Sequence, residues 1–321
     1  MSAPVLVLGA TGGFGGAVTR ELLRRGYPVR AVVRDVTRSR RVLPDHPDLT
    51  LVVGDAADAD TQSQAVQGCR VIVHGVSYPY HRWVPAMERV TATVVAAARS
   101  VGATILFPGN VYGFGPQTAG RLAEDAPDRP TTRKGAVRVG LEAALRKATS
   151  DGRARALVVR AGDFYGPTVR NGLVDPIFGN AARGRTMRAL GDLDRAHQWA
   201  FAPDLARAAV DLLGVAGRLR PFDVVHFEGH VVSPHRELFQ RVARLAGKPR
   251  LRVRTVRFGT LKVAGLLKPV ARELLELRYL FEQAVILEGS RLRQLLPGYV
   301  DTPLDEAIRL TLESYRAPHH H

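Results

Sequence analysis

Short apolar runs and amphipathic stretches take turns along the first half of the chain. Runs at 5–9, 29–34, 49–54, 71–75, 104–107 and 156–160 are β-branched or Leu-rich and four to six residues long, which is the length and composition of buried strands. Between them, stretches at 14–25, 59–67, 85–100 and 132–149 read as helices. The alternation predicts βαβ units and an α/β fold, a Rossmann doubly wound parallel sheet with helices on both faces. Residues 222–227 read as one more strand, whereas 168–200 and 228–316 carry turn signals, isolated helices and many cations. The expected division is therefore 1–167 with 201–227 as the sheet domain, 168–200 with 228–316 as a smaller C-terminal substrate lobe, and 317–321 as a tail. Thr302-Pro303-Leu304-Asp305 has the residues of a capped helix start, and Ser233-Pro234 repeats the pattern.

One loop in this pattern carries chemistry. Gly9-Ala10-Thr11-Gly12-Gly13-Phe14-Gly15 leaves the first strand and opens the first helix, the context in which a glycine fingerprint marks a dinucleotide site. Gly9 permits the tight turn, Gly12 lets backbone approach the pyrophosphate, and Gly15 lets helix and strand pack, so that helix N–H groups face the phosphates. Thr11, Gly13 and Phe14 complete the predicted contact. The end of the second strand reads Val33-Arg34-Asp35. Arg34 suits a 2′-phosphate, with Arg38, Arg40 and Arg41 behind it, so NADP is the expected cofactor; Asp35 leaves NAD open. Asp55 and Ala56 after the third strand, and Gly75 and Val76 after the fourth, would flank adenine and ribose.

These residues resemble the extended short-chain dehydrogenases, which include NAD-dependent sugar epimerases and dehydratases, and their atypical relatives. The resemblance covers about the first 230 residues. It rests on the glycine turn, Gly54-Asp55, Val71-Ile72-Val73-His74, Val111-Tyr112-Gly113, Phe164-Tyr165-Gly166-Pro167 and Trp199-Ala200-Phe201-Ala202-Pro203-Asp204-Leu205-Ala206. In that family a Ser before the VYG block and a YxxxK pair on the following helix assist hydride transfer. Here Pro108 stands at the Ser position, Lys134 at the Tyr position and Arg138 at the Lys position, in the run Lys134-Gly135-Ala136-Val137-Arg138. The i, i+4 spacing keeps both cations on one helix face. The resemblance implies that Pro108, Lys134 and Arg138 border the nicotinamide end, with Arg138 on the ribose and Lys134 as a substitute proton donor. The competing reading is that both cations only anchor cofactor.

Tyr165 and His81 are further candidates for contact with the reacting group, and Tyr112, Asn110, Tyr80 and Trp83 lie in blocks expected to border it. Asn110 could instead fix its loop through backbone hydrogen bonds. Where sugar-nucleotide members carry a phosphate-binding Arg, this chain has His197, with Arg195 nearby. Phe178, Met187, Trp199 and Phe201 fit an apolar pocket or a core. The family also implies homodimerisation through two helices.

Composition narrows the alternatives. The single Cys69 cannot form an internal disulfide, and no Cys/His cluster has zinc-ligand spacing, so no metal is expected. No apolar stretch suggests an export signal or membrane span, and a cytoplasmic protein is the expectation. His319, His320 and His321 read as part of a purification tag. The formal charge is +16, and residues 241–280 hold eleven Lys/Arg against two Asp/Glu. Arg252 and Arg254 alternate as on one strand face, but no aromatic interleaving or nucleic-acid motif accompanies them, so nucleic acid is not the expected partner. The expected function is an NAD(P)-dependent oxidoreductase acting on a small carbonyl or alcohol. An NAD-dependent epimerase or dehydratase, or a dinucleotide-sensing regulator without turnover, are the alternatives.

Overall fold

The computed structural model describes residues 3–79, 82–118, 120–256, 258 and 275–316. Seven parallel strands form the central sheet: β1 Val5–Leu8, β2 Val29–Val33, β3 Leu49–Val53, β4 Val71–His74, β5 Thr104–Gly109, β6 Arg155–Ala161 and β7 Phe222–Phe227. Their spatial order is β7-β6-β5-β4-β1-β2-β3, so the direction of winding reverses between β1 and β4. Ligands of open α/β sheets bind outside the strand ends at such a reversal.

The helices between strands are α1 Gly13–Arg24, α2 Val36–Arg40, α3 Ala59–Ala65, α4 Trp83–Val101, α5 Arg133–Ala148 and α6 Ala202–Gly214. They divide the hydrophobic core in two. On β1, Val5 and Val7 join the cluster that includes Val18 and Leu22 of α1 and Leu205 and Ala209 of α6. Leu6 and Leu8 join the opposite cluster with Val94 of α4 and Leu141 and Leu145 of α5. All four are buried, because a parallel strand between two helical layers has no solvent face. This explains why the predicted strands read as continuous apolar runs.

β5 extends two residues past the expected 104–107. Pro108 and Gly109 still pair in register with Val159 and Arg160 of β6, and Gly109 leaves room for Arg160, whose side chain crosses it. Arg160 is buried and charge-balanced by Glu142 of α5 at 2.6 Å and Asp128 at 3.1 Å.

The smaller C-terminal region lies over the β5–β7 end. Strand Val285–Leu287 pairs with Gly120–Leu122, and Gln198 accepts from the Leu287 N–H and donates to its carbonyl, both at 2.9 Å. Beneath them Phe114, Leu122, Leu277, Tyr279, Leu280 and Phe281 form a third cluster. The predicted cap at Thr302 is corrected. The helix spans Leu304–Arg316, and the Thr302 hydroxyl donates instead to Asp204 at 2.8 Å. Ser233 likewise caps nothing; Arg236–Leu245 starts after His235 with no side-chain cap.

Candidate functional site

The glycine turn has the geometry its sequence predicts. Gly9 has φ +76°, and a Cβ there would lie 2.5 Å from the Gly75 carbonyl oxygen. A Cβ on Gly15 would sit under 3.0 Å from the Gly9 carbonyl. Gly12 precedes α1 with no side-chain cap, and the first turn holds no acid. The opening N–H groups and the positive end of the helix dipole therefore face outward beside exposed Thr11 and Gly12. Gly13 and Phe14 lie in the same first turn, where the Thr168 hydroxyl donates to the Gly13 carbonyl at 2.8 Å. A close backbone approach with unspent donors fits a diphosphate.

Further along the same edge of the sheet, Arg34 is exposed just past β2. Asp35 is spent locally, accepting from the Arg38 N–H at 2.9 Å as the N-cap of α2. Asp55 is exposed after β3 and accepts from Ala57 N–H at 2.8 Å, and the Ala56 carbonyl holds the Gln62 amide. Gly75 and Val76 follow β4, with the Gly75 N–H donating to Leu8 at 2.9 Å. Tyr78, which the sequence reading passed over, sits in the fields of both Asp55 and Arg34; burial, then Asp55, pushes its hydroxyl pKa up.

The nicotinamide end expected from the family is built on α5. Thr132 caps the helix, accepting from Gly135 N–H at 3.0 Å. This fixes Lys134 and Arg138 on the buried face at the β5 end. Arg138 donates to the Pro108 carbonyl and lies 4.6 Å over the Phe107 ring. Beneath it His74 is fully buried, bonded to Thr91 Oγ1 at 2.9 Å; burial, and then Arg138, holds its pKa down at about 3, so it is neutral.

Lys134 is 3% exposed and its ammonium is paired with Glu276, whose carboxylate also accepts the Lys134 N–H at 2.9 Å. Glu276 was not anticipated; it arrives from 142 residues downstream. Tyr279, one turn further on, donates to the Tyr112 carbonyl at 3.3 Å, and its pKa is pushed up to about 12 by burial and by Glu276. Asn110 fixes its own loop, accepting from Tyr112 N–H at 3.0 Å. Trp83 stacks on Tyr112 at 6.2 Å and donates to the Tyr78 carbonyl at 2.8 Å.

Other candidates do not join this cluster. Tyr165 is 0% exposed among Phe178, Trp199 and Phe201, and its hydroxyl bonds His230 at 2.9 Å. Burial pushes its pKa far up. His197 pairs with Asp163 at 2.8 Å and stacks between His235 and Phe281, while Arg195 pairs with Asp192 at the surface. Phe178, Met187, Trp199 and Phe201 are core. His81 and Tyr80 lie outside the described residues. A surface cavity of about 430 Å³ lined by Arg207, Asp211, Leu296, Gly298, Tyr299 and Val300 contains none of the site residues.

Comparisons with known proteins bear on family and fold. The model of the NAD dependent epimerase/dehydratase family matches residues 5–220. The chain is 32% identical over 180 residues to the 3-diazoavenalumate denitrifying reductase of a Streptomyces species, covering 51% of this chain and 57% of that protein. It is 42% identical over 79 residues to the bifunctional dihydroflavonol 4-reductase/flavanone 4-reductase of Pyrus communis, 23% of each. The matched part thus spans little more than half of the first relative and under a quarter of the second. The fold is that of the Bordetella bronchiseptica enzyme WbmH, solved in complex with NAD+, at a TM-score of 0.73 and 21% identity over 98% of this chain and 99% of that one.

Proposed function

The chain belongs to the NAD dependent epimerase/dehydratase family, and on that premise we propose that it is an NADP-dependent reductase of a small carbonyl compound with Lys134 as its proton donor. The observation that carries this reading is a buried, charge-balanced Lys134 ammonium one helical turn from Arg138, at the end of β5. In this reading Gly9, Thr11, Gly12, Gly13, Phe14 and Gly15 hold the diphosphate, Arg34 the 2′-phosphate, and Asp55, Ala56, Gly75 and Val76 the adenosine. Arg138 and the Pro108 carbonyl hold the nicotinamide ribose. When bound, the dinucleotide supplies the hydride. Lys134 presents its proton to the oxygen that gains charge, and Arg138, which cannot deprotonate, only orients and stabilises.

Two features favour reduction over epimerisation. Arg34 is exposed at the position that distinguishes 2′-phosphate, and the anion-binding Arg of sugar-nucleotide members is replaced by His197, which is engaged with Asp163. The reductase activities named for the two relatives point the same way. The C-terminal region would close the substrate cleft.

The test is NADPH oxidation against a panel of small aldehydes, ketones and α-diketones. Lys134→Met should lower turnover by roughly 10²-fold or more while dinucleotide affinity, by calorimetry, moves less than about threefold. Unchanged turnover would remove Lys134. Protein that purifies with tightly held NAD and consumes no NADPH would favour the epimerase or dehydratase reading.

A further inference from the structure

A strongly basic face lies apart from this chemistry. Arg183, Arg185 and Arg188 in one segment, and Lys248, Arg250, Arg252 and Arg254 in another, are seven cations with no acid between them in either segment. Parallel pairing of strand Val253–Val256 with strand Met187–Leu190 brings the two segments together. Arg254 is the register partner of Arg188, so both side chains leave the same face, shared by Arg252 two residues back. Met187 and Ala189 are buried on the other face, whereas all seven cations are exposed. Lys248 lies against Gly184, closing the two segments into one patch.

Like charges directly opposite on paired strands repel. Elsewhere the same basic stretch neutralises itself: Arg241 pairs with Glu237 and Asp305, and Arg244 with Asp305. Among the described residues no carboxylate pairs with any of the seven. Past Arg188 and Arg254 the shared face ends at half-buried Val256 and at Leu190, which packs against the cluster that includes Phe258 and Phe281.

We propose that this ribbon docks the protein on an anionic lipid bilayer surface. An exposed row of seven cations with no carboxylate paired to them among the described residues matches a layer of negative headgroups. A nucleic acid fits less well, because the exposed residues of the two strands are Arg188, Val253, Arg254 and Thr255, with Arg252 just before them, and none of these is an aromatic to stack on a base or an Asn or Gln to read its edge.

Co-sedimentation of the full chain with vesicles of phosphatidylcholine, with and without phosphatidylglycerol, tests this. Wild type should partition onto the anionic vesicles only, and high salt should release it. Each basic residue contributes about fivefold, so Arg188→Glu/Arg254→Glu should lower partition at least about 25-fold. The milder Arg188→Gln/Arg254→Gln serves if the reversal disturbs folding. Arg24→Glu/Arg153→Glu changes net charge equally at exposed sites outside the ribbon and should retain binding. Wild type that ignores anionic vesicles, a ribbon variant that still binds, equal loss in the control, or tighter retention on duplex DNA than on vesicles at matched salt each overturns the proposal.

Discussion

The two ends of the candidate cleft are built from different materials. The diphosphate end is backbone: a positive-φ glycine, two glycines in van der Waals contact with neighbouring main chain, and helix N–H groups with no side-chain acceptor. The end proposed for proton transfer is side chain: Lys134, Arg138, His74 and Glu276, drawn from α5, β4 and the C-terminal region. A backbone site tolerates almost no change at its glycines. A side-chain site can be rewritten provided each buried charge finds a partner, as Lys134 finds Glu276.

That contrast is open to attack at both ends. The largest effect is expected for Gly15→Val, whose branched side chain has no space beside the Gly9 carbonyl. It should cost about 3 kcal/mol or more of stability and abolish dinucleotide binding, read by denaturant melts and calorimetric titration. Wild-type affinity in that variant would break the backbone account. Glu276→Gln should cost about 3 kcal/mol by stranding the Lys134 charge, whereas the double change with Lys134→Met should recover most of that loss. Simply additive melts would show that the pair does not hold its region together.

Smaller effects sharpen the comparison. Arg34→Ala should weaken NADPH about tenfold, roughly 1.4 kcal/mol, and leave NADH unchanged; equal loss for both would contradict a 2′-phosphate role. His74 gives a pH signature. Folded, it stays neutral down to about pH 3; unfolded, it takes up a proton near pH 6.5. Acid therefore favours the unfolded chain, and this contribution to stability is present above pH 6.5 and falls as pH drops toward 3. Between pH 6.5 and 5.5 the loss is about 1 kcal/mol. Thermal melts of His74→Gln should show a shallower acid decline than wild type; an identical decline would assign the sensitivity elsewhere.

The same contrast explains what the sequence disclosed. Buried parallel strands must be apolar on both faces, so the inner strands β1, β4 and β5 stood out as runs, and the glycine turn is written in seven consecutive residues. Lys134 and Arg138 were visible because one helix carries both. Glu276 was not, since nothing local marks a carboxylate that meets its partner 142 residues away. Tyr165 misled for a related reason. Its block borders the cofactor in the family, yet in the strand Asp163–Tyr165 its side chain turns inward onto Phe178 and Trp199. Half of the basic ribbon was equally hidden, because strand pairing rather than chain order sets Arg188 beside Arg254.

The pairing of 285–287 with 120–122 sets an order of events during synthesis. The glycine turn and β1 to β4 leave the ribosome well before the residues that complete their packing, Thr168 on Gly13 and Leu205 and Ala209 of α6 beside α1, and N-terminal units commonly begin to take shape on a nascent chain. Lys134 must wait for Glu276 and for the strand that ties down the region behind it. Translation thus delivers the glycine turn first and the Lys134–Glu276 pair last.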